Sequence, residues 1–358
     1  MAPHRYAAMT AVATIVDATH PAGAPRFVDI PPRGDAVVLE SPGAEGGTFQ
    51  VLRSSGARLF DGALKYGHVL ARDEALYVAG RATSWSGAVD DLDTLAYIGP
   101  GGALLSITIQ GEEVRTLTAS LGLTTHTGGP EPDRVTATMQ RLRAVNEAKR
   151  VGWEYAAQQP GVGAIDGAGH AVIALPTGRL VVLAAEGDLR TAYAIVSLDV
   201  PIDGGATDLS VVPPFALVLY GGGDTGSIAQ RWGQGAATSR LDARRPDGSL
   251  AWHASLPFLA TQPALDGGDH VYVVGAGITA LDLEGRTVWS SASPVPLRAA
   301  AFADGTLAVV RGSELQIVGA DGAIRQSLRA AEELTTYPAI AADGSVWVAS
   351  ATSLYAAR

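Results

Sequence analysis

Proton transfer needs an imidazole or a carboxylate tuned by a neighbour, and one polar stretch of this chain gathers both types. GLTTHTGGPEPDRVTAT (122–138) places His126, Glu131, Asp133 and Arg134 within nine residues of one another. A carboxylate beside an imidazole can hold it near neutrality as a general base. His126, Glu131 and Asp133 are therefore the candidate catalytic residues, with Arg134 beside them as a candidate ligand contact. The alternative is a solvated loop. RATSWSGAVDDLD (81–93) adds Trp85 and Asp91, the latter within an acidic run of Asp90, Asp91 and Asp93. That run could collect a hard cation, but a charge run in a loop is usually only solvated, and no metal site is expected. GGGDTGSIAQRWGQGAAT (221–238) supplies Asp224, Arg231, Trp232 and Gln234. A carboxylate, a planar cation, an aromatic ring and an amide suit recognition of a polar ligand.

Known catalytic motifs are missing. There is no G-x-S-x-G elbow, no H-E-x-x-H, no Walker loop and no dinucleotide fingerprint. Gly221–Gly223 has no lysine after it and reads as a flexible loop. With no cysteine, the sequence holds no disulfide, thiolate metal site, iron–sulfur cluster or cysteine nucleophile. No cofactor is expected. His68 and His170 read as structural histidines.

These residues need a scaffold. A hydrophobic fraction of 47% suffices for a large core, and 17% charged residues is not the mark of disorder. The net charge of −10 argues against nucleic acid, which requires basic stripes, and against an anionic membrane surface. Only Lys65 and Lys149 are lysines among 26 basic residues, which reads as the codon bias of a GC-rich, bacterial genome. No run of 18 apolar residues occurs to span a membrane. The N-terminal MAPHRYAAMTAVATIVDATHPAGAP is a poor signal peptide, because Thr10 and Thr14 interrupt its apolar stretch and Asp17 ends it. The compartment stays open: cytoplasmic if Met1 is the native start, periplasmic or extracellular if an upstream signal has been removed.

An internal period organises the chain. Its clearest unit is TQPALDGGDHVYVVGAGITALDLEGRTVWS (261–290), four short strands separated by turns. Relatives recur at FQVLRSSGARLF (49–60), LAYIGPGGALLS (95–106), LRAVNEAKRVGWEY (142–155), LVVLAAEGDLRT (180–191), SRLDARRPDGSLAW (239–252), LQIVGADGAIRQ (315–326) and SLYAAR (353–358). Taking Val51, Ala96, Ala144, Val182, Arg240, Ala280, Ile317 and Ala356 as equivalents gives spacings of 45, 48, 38, 58, 40, 37 and 39. Period-2 alternation with glycine turns makes these units sheets rather than helical repeats. Trp153, Trp252 and Trp289, with Trp347 a further candidate, fall at a fixed repeat position, where a ring would lock an outer strand onto its neighbour. Asp166-Gly167, Asp304-Gly305, Asp321-Gly322 and Asp343-Gly344 read as hairpin turns.

Repeats of the form P-A-(apolar)-x-x-D-G…V-Y-V…A-L-D-x-x-G…V-W resemble the quinoprotein-type, or PQQ-like, propeller family. The match is strong over 240–358, fair over 26–155 and weak over 156–239. The family includes pyrroloquinoline-quinone alcohol dehydrogenases and the propeller lipoprotein of the outer-membrane barrel assembly machinery. Neither role transfers, since the adjacent-cysteine disulfide of the former and the lipidated cysteine of the latter are both impossible here.

The expected fold is all-β: a single β-propeller over residues 1–358, with about eight four-stranded blades, seven being the alternative. The last repeat lacks an outer strand, and AMTAVATIVDA (8–18) is its donor, closing the ring. Insertions 81–93, 122–138 and 221–238 each fall between a second and a third strand, so they are expected on one face. A fourth long connection, 192–209, is expected to follow an outer strand. Two functions fit. One is a monomeric propeller that binds a small molecule or a protein at the insertion-bearing face. The other is a cofactor-independent hydrolase, lyase or cyclase working by acid–base chemistry at that face.

Overall fold

Short alternating runs bounded by glycine turns can satisfy their backbone only by pairing with one another. In the computed structural model they do so throughout. The structure describes residues 4–15, 25, 27–29, 36–41, 47–72, 75–85, 92–98, 104–108, 112–117, 123–128, 140–145, 151–157, 162–165, 171–175, 177–186, 193–221, 238–261 and 264–358. All regular structure among these residues is antiparallel strand.

The first strand, β1 (Met9–Thr14), is set apart from those that follow it in sequence. A seven-stranded sheet comes next, from β2 (Phe27–Asp29), β3 (Ala36–Ser41), β4 (Gly47–Arg53), β5 (Arg58–Arg72), β6 (Ala75–Trp85), β7 (Leu92–Ile98) and β8 (Leu104–Thr108). Its 15-residue β5 pairs with β4 from Arg58 to Leu64 and with β6 from Gly62 to Arg72. Four-stranded sheets then follow in chain order. The first holds β9 (Glu112–Leu117), β10 (Leu123–Gly128), β11 (Gln140–Val145) and β12 (Val151–Ala157), and the second β13 (Val162–Ile165), β14 (Ala171–Leu175), β15 (Arg179–Glu186) and β16 (Tyr193–Pro201). Next come β17 (Ala206–Val212), β18 (Phe215–Tyr220), β19 (Arg240–Arg244) and β20 (Leu250–Ser255), then β21 (Leu265–Asp266), β22 (His270–Gly275), β23 (Gly277–Asp282) and β24 (Thr287–Ala292). After β25 (Arg298–Ala301), β26 (Leu307–Arg311), β27 (Glu314–Val318) and β28 (Ile324–Arg329), the last sheet contains β29 (Ala339–Ile340), β30 (Val346–Ala349) and β31 (Ser353–Ala357). Its fourth strand is β1, which pairs with β31 from Met9 opposite Ala357 to Thr14 opposite Ser353.

The repeat has a physical signature in its register. Val51 faces Phe60, Ala144 faces Trp153, Ala243 faces Trp252, Ala280 faces Trp289 and Ile317 faces Gln326, and a bulge follows each pair at once. The extra residue lies on the fourth strand and bends it as it leaves the turn. There Asp282 Oδ1 accepts from the amides of Glu284 at 3.0 Å and Arg286 at 2.8 Å, and Gly285 takes φ +80°. A Cβ at Gly285 would lie 2.6 Å from the Trp252 ring, because that ring covers the turn of the next sheet while its Nε1 donates to Leu283 O at 2.8 Å. Trp289 repeats the arrangement one sheet on, lying over Gly322 and donating to Ala320 O at 2.7 Å.

Apolar residues between consecutive sheets form the core. One cluster joins Leu217, Leu241 and Ala243 to Val271 and Val273; another joins Tyr272 and Ile278 to Leu307 and Val309. A third packs Val37, Leu39 and Leu52 of the first sheet against Trp347, Leu354 and Ala356 of the last.

Four expectations need correction. The equivalent residue in the fifth repeat is Ala243 rather than Arg240, since it is Ala243 that faces Trp252. Residues 192–209 are not a long connection: Tyr193–Pro201 is the outer strand β16, paired with β15, and β17 begins at Ala206. Their alternation, YAIVSLDVP, makes a strand although no tryptophan marks it. Trp347 is not an outer-strand tryptophan. It is buried on the second strand β30 opposite Ala356, in the place that Tyr272 takes opposite Ala280. Finally, strand extends into two insertions, through Arg81–Trp85 and Leu123–Gly128, where β-branched and aromatic residues favour it. The intervening connections shorten to 86–91 and 129–139.

Candidate functional site

Antiparallel order within each sheet brings the turn between its second and third strands to the same edge as the end of its fourth. Hydrogen bonds join the two. Leu297 N donates to Gly275 O at 2.8 Å, Ala330 N to Ser313 O at 2.8 Å, and Leu334 N to Gly312 O at 3.0 Å. The third insertion joins at the equivalent place. Ser239, which ends its stem and is buried, donates its amide to Phe258 O at 3.0 Å and accepts from Leu256 N at 2.8 Å. Its hydroxyl accepts from Ala260 N at 2.8 Å. Ser239 is thereby anchored to 256–261.

That edge continues into a polar group where the first strands begin. Thr261, buried, donates its amide to Val274 O at 2.8 Å and its hydroxyl to Leu297 O at 2.9 Å. Its own carbonyl accepts from the Tyr337 phenol, 2.8 Å away and 76 residues on. The Arg298 guanidinium stands 5.9 Å from the centre of the Tyr337 ring. Three successive sheets, beginning at β21, β25 and β29, thus contribute Thr261, Arg298 and Tyr337 to one half-buried cluster. A guanidinium beside a phenol can hold a carboxylate, a phosphate or a peptide carbonyl while the ring covers an apolar face.

The foot of the same insertion is charged. Tyr220 and Arg240 face each other across β18 and β19, and the guanidinium lies 4.2 Å over the phenol ring. Arg240 pairs with Asp203 at 2.5 Å and with Asp242 at 2.9 Å; Arg244 approaches Asp242 at 3.4 Å. Burial, and secondarily Asp242, raise the Tyr220 phenol above its usual range. Asp242 is 4% exposed, so removing either arginine would leave a charge with little solvent. This network fixes the stem. A carboxylate cradle sits further along, where Glu332 accepts from Ser350 Oγ at 2.6 Å and from Thr352 Oγ1 at 2.7 Å, which lowers its pKa.

Of the residues singled out in the sequence, Trp85 is the last of β6, opposite Gly62. His126 lies on β10, between Val114 and Arg141, rather than in a loop. His126 thus stands near the end of the second strand of its sheet, and Trp85 at the end of the fifth strand of the seven-stranded sheet. Asp91, Glu131, Asp133, Arg134, Asp224, Arg231, Trp232 and Gln234 lie outside the described residues. Thr261, Arg298 and Tyr337 were not singled out. The one signal for Thr261 and Tyr337 was the recurrence of T-x-P-A at 261–264 and 336–339, and Arg298 had none. Among the described residues no group of three histidine or carboxylate side chains could hold a metal ion.

No protein-family model matches the chain, and neither does any curated protein. Solved structures do. BamB from Moraxella catarrhalis is similar over 98% of this chain and 100% of its own, at 13% identity and a TM-score of 0.60. The Dos1 propeller is similar over 99% of this chain and 95% of its own, at 10% identity and a TM-score of 0.61. Chaetomium thermophilum Sqt1, solved bound to the N-terminus of the ribosomal protein L10, is similar over 97% and 98%, at 12% identity and a TM-score of 0.61. At such identities the likeness bears on the fold alone: this all-β chain has the fold of a β-propeller.

Proposed function

We propose that the chain is a binding propeller that takes a protein segment or a small polar molecule at the edge carrying its insertions. In this reading it has eight blades of quinoprotein-like type. The seven-stranded sheet counts as two, with β5 serving as outer strand of one and inner strand of the next, and β1 closes the ring. Connections 86–91, 129–139 and 222–237 then share a face, over a channel mouth partly lined by Thr261, Arg298 and Tyr337. The observation that carries the reading is the anchoring of Ser239 to 256–261, together with the Tyr337–Thr261 hydrogen bond. It ties the longest insertion to a cation and an aromatic ring. Sqt1, similar in fold, was solved holding the N-terminus of another protein, which fits a role in recognition. The test is a peptide array combined with a thermal-shift panel of small anionic and polar molecules. Hits should weaken tenfold or more in Arg231→Ala and Arg298→Ala, with melting temperatures within about 2 °C of the parent, as for substitutions outside a core. Hits that bind every variant equally would overturn the reading.

A further inference from the structure

Two junctions between sheets follow one rule: a large outer-strand ring meets a glycine in the neighbour's turn. Trp252 meets Gly285 and Trp289 meets Gly322. A second lock accompanies the latter, the Tyr272 phenol donating to Gly305 O at 2.7 Å. At the junction after β28 both residues are replaced. Ala308 stands in the place of Tyr272, and Gln326 in the place of Trp289. The neighbouring sheet also has no continuous third-to-fourth turn, because its third and fourth strands come from opposite ends of the chain.

Residues 4–8 occupy that gap. Tyr6 is 8% exposed and packs in one cluster with Ala308 and Ile317. Its phenol donates to Gly344 O at 2.8 Å, matching the bond from Tyr272 to Gly305. The Gln326 carboxamide binds the same residue's backbone at both ends, its Nε2 donating to Tyr6 O at 2.7 Å and its Oε1 accepting from Tyr6 N at 3.0 Å. His4 stacks on Phe302 at 4.0 Å and pairs with Asp304 at 3.2 Å. A carboxamide that takes both amide and carbonyl of one residue, beside a pocket filled by that residue's ring, has the form of a peptide-recognition site.

We propose that the slot between sheets β25–β28 and β29–β31 is such a site, specific for an extended segment bearing tyrosine. Its occupant is the chain's own residues 4–8. They act as a latch that carries across the junction the bulk the outer strand has lost.

Two experiments on the full chain test it. In the first, Tyr6→Ala and Gln326→Trp should each lower the melting temperature by roughly 3–6 °C, and Gln326→Trp introduced into Tyr6→Ala should raise it. Additive losses would overturn the exchange of bulk across the junction. In the second, a labelled peptide of residues 1–8 should bind the Tyr6→Ala protein saturably, the parent at least tenfold more weakly, and Tyr6→Ala/Gln326→Ala not at all. Equal binding to all three, or none to a folded Tyr6→Ala protein, would overturn the site. Should Tyr6→Ala fail to fold, Tyr6→Phe keeps the ring and removes the bond to Gly344, and it should still let the labelled peptide exchange in. A folded Tyr6→Phe protein that excludes the peptide would equally overturn it.

Discussion

Trp289 shows what one residue does in this architecture. Its ring seals a turn in the next sheet and its Nε1 donates to Ala320 O at 2.7 Å. Trp289→Ala should cost about 2–4 kcal/mol, near the lower end of the range for emptying a large aromatic site because the ring is only half-buried. Trp289→Phe should retain much of that while losing about 1 kcal/mol for the hydrogen bond; urea unfolding of the pair separates the two contributions. Tyr6 and Tyr272 set the alkaline limit. Burial, followed by nearby Asp343 and Asp304 for Tyr6 and by Asp304 for Tyr272, pushes both phenols from 10.0 up to about 12. Above pH 10 the unfolded chain gives up these protons while the fold keeps them. Stability should therefore be fully present below pH 10 and fall as pH rises toward 12. Melting temperatures between pH 8 and 12 should show that fall, and Tyr272→Phe should flatten it.

Elements here are set by pattern, and pattern was legible where turns carry glycine. The third and fourth strands of the sixth repeat could be read from Ala280, Gly285 and Trp289 alone. Sheet β13–β16 was harder, since its outer strand YAIVSLDVP has no tryptophan and begins only at Tyr193, beyond the 180–191 unit aligned on Gly187. In the fifth repeat the three extra residues of RRPDG moved the equivalence from Ala243 to Arg240. Trp347 misled because a tryptophan near the expected place is a weaker guide than the residue it faces. The candidate site was legible only as polar stretches. That Ser239 is anchored beside Thr261, and that Tyr337 reaches across 76 residues, depends on how sheets stack, which no local pattern encodes. Turn geometry gives a test at this scale. Gly285→Ala forces a Cβ to 2.6 Å from Trp252 at φ +80°, so it should cost about 2 kcal/mol or more in chemical unfolding. Gly312→Ala has φ +58° but nothing within 4 Å, so it should cost only about 1 kcal/mol, the strain of its backbone.

On the scale of the molecule, the joint between β1 and β31 decides whether the stack of sheets has free ends. Thr10 faces Ala356, and the chain contains no cysteine of its own. The pair Thr10→Cys/Ala356→Cys should therefore form one defined disulfide. It should raise the melting temperature, with a stabilisation of about 2–5 kcal/mol for so long a closed loop, and reductant should abolish the gain. Failure to cross-link in the folded protein would contradict the observed register. The same joint has a consequence in time. Met9 is synthesised 348 residues before Ala357. At typical translation rates that separates them by on the order of tens of seconds. Sheet by sheet the nascent chain can stack behind the ribosome, but the hydrogen-bonding edge of β1 has no partner until β31 has been made. The protein therefore carries an unpaired, aggregation-prone strand edge from the synthesis of β1 to that of β31, and its yield in a cell should depend on what shields that edge in the interval.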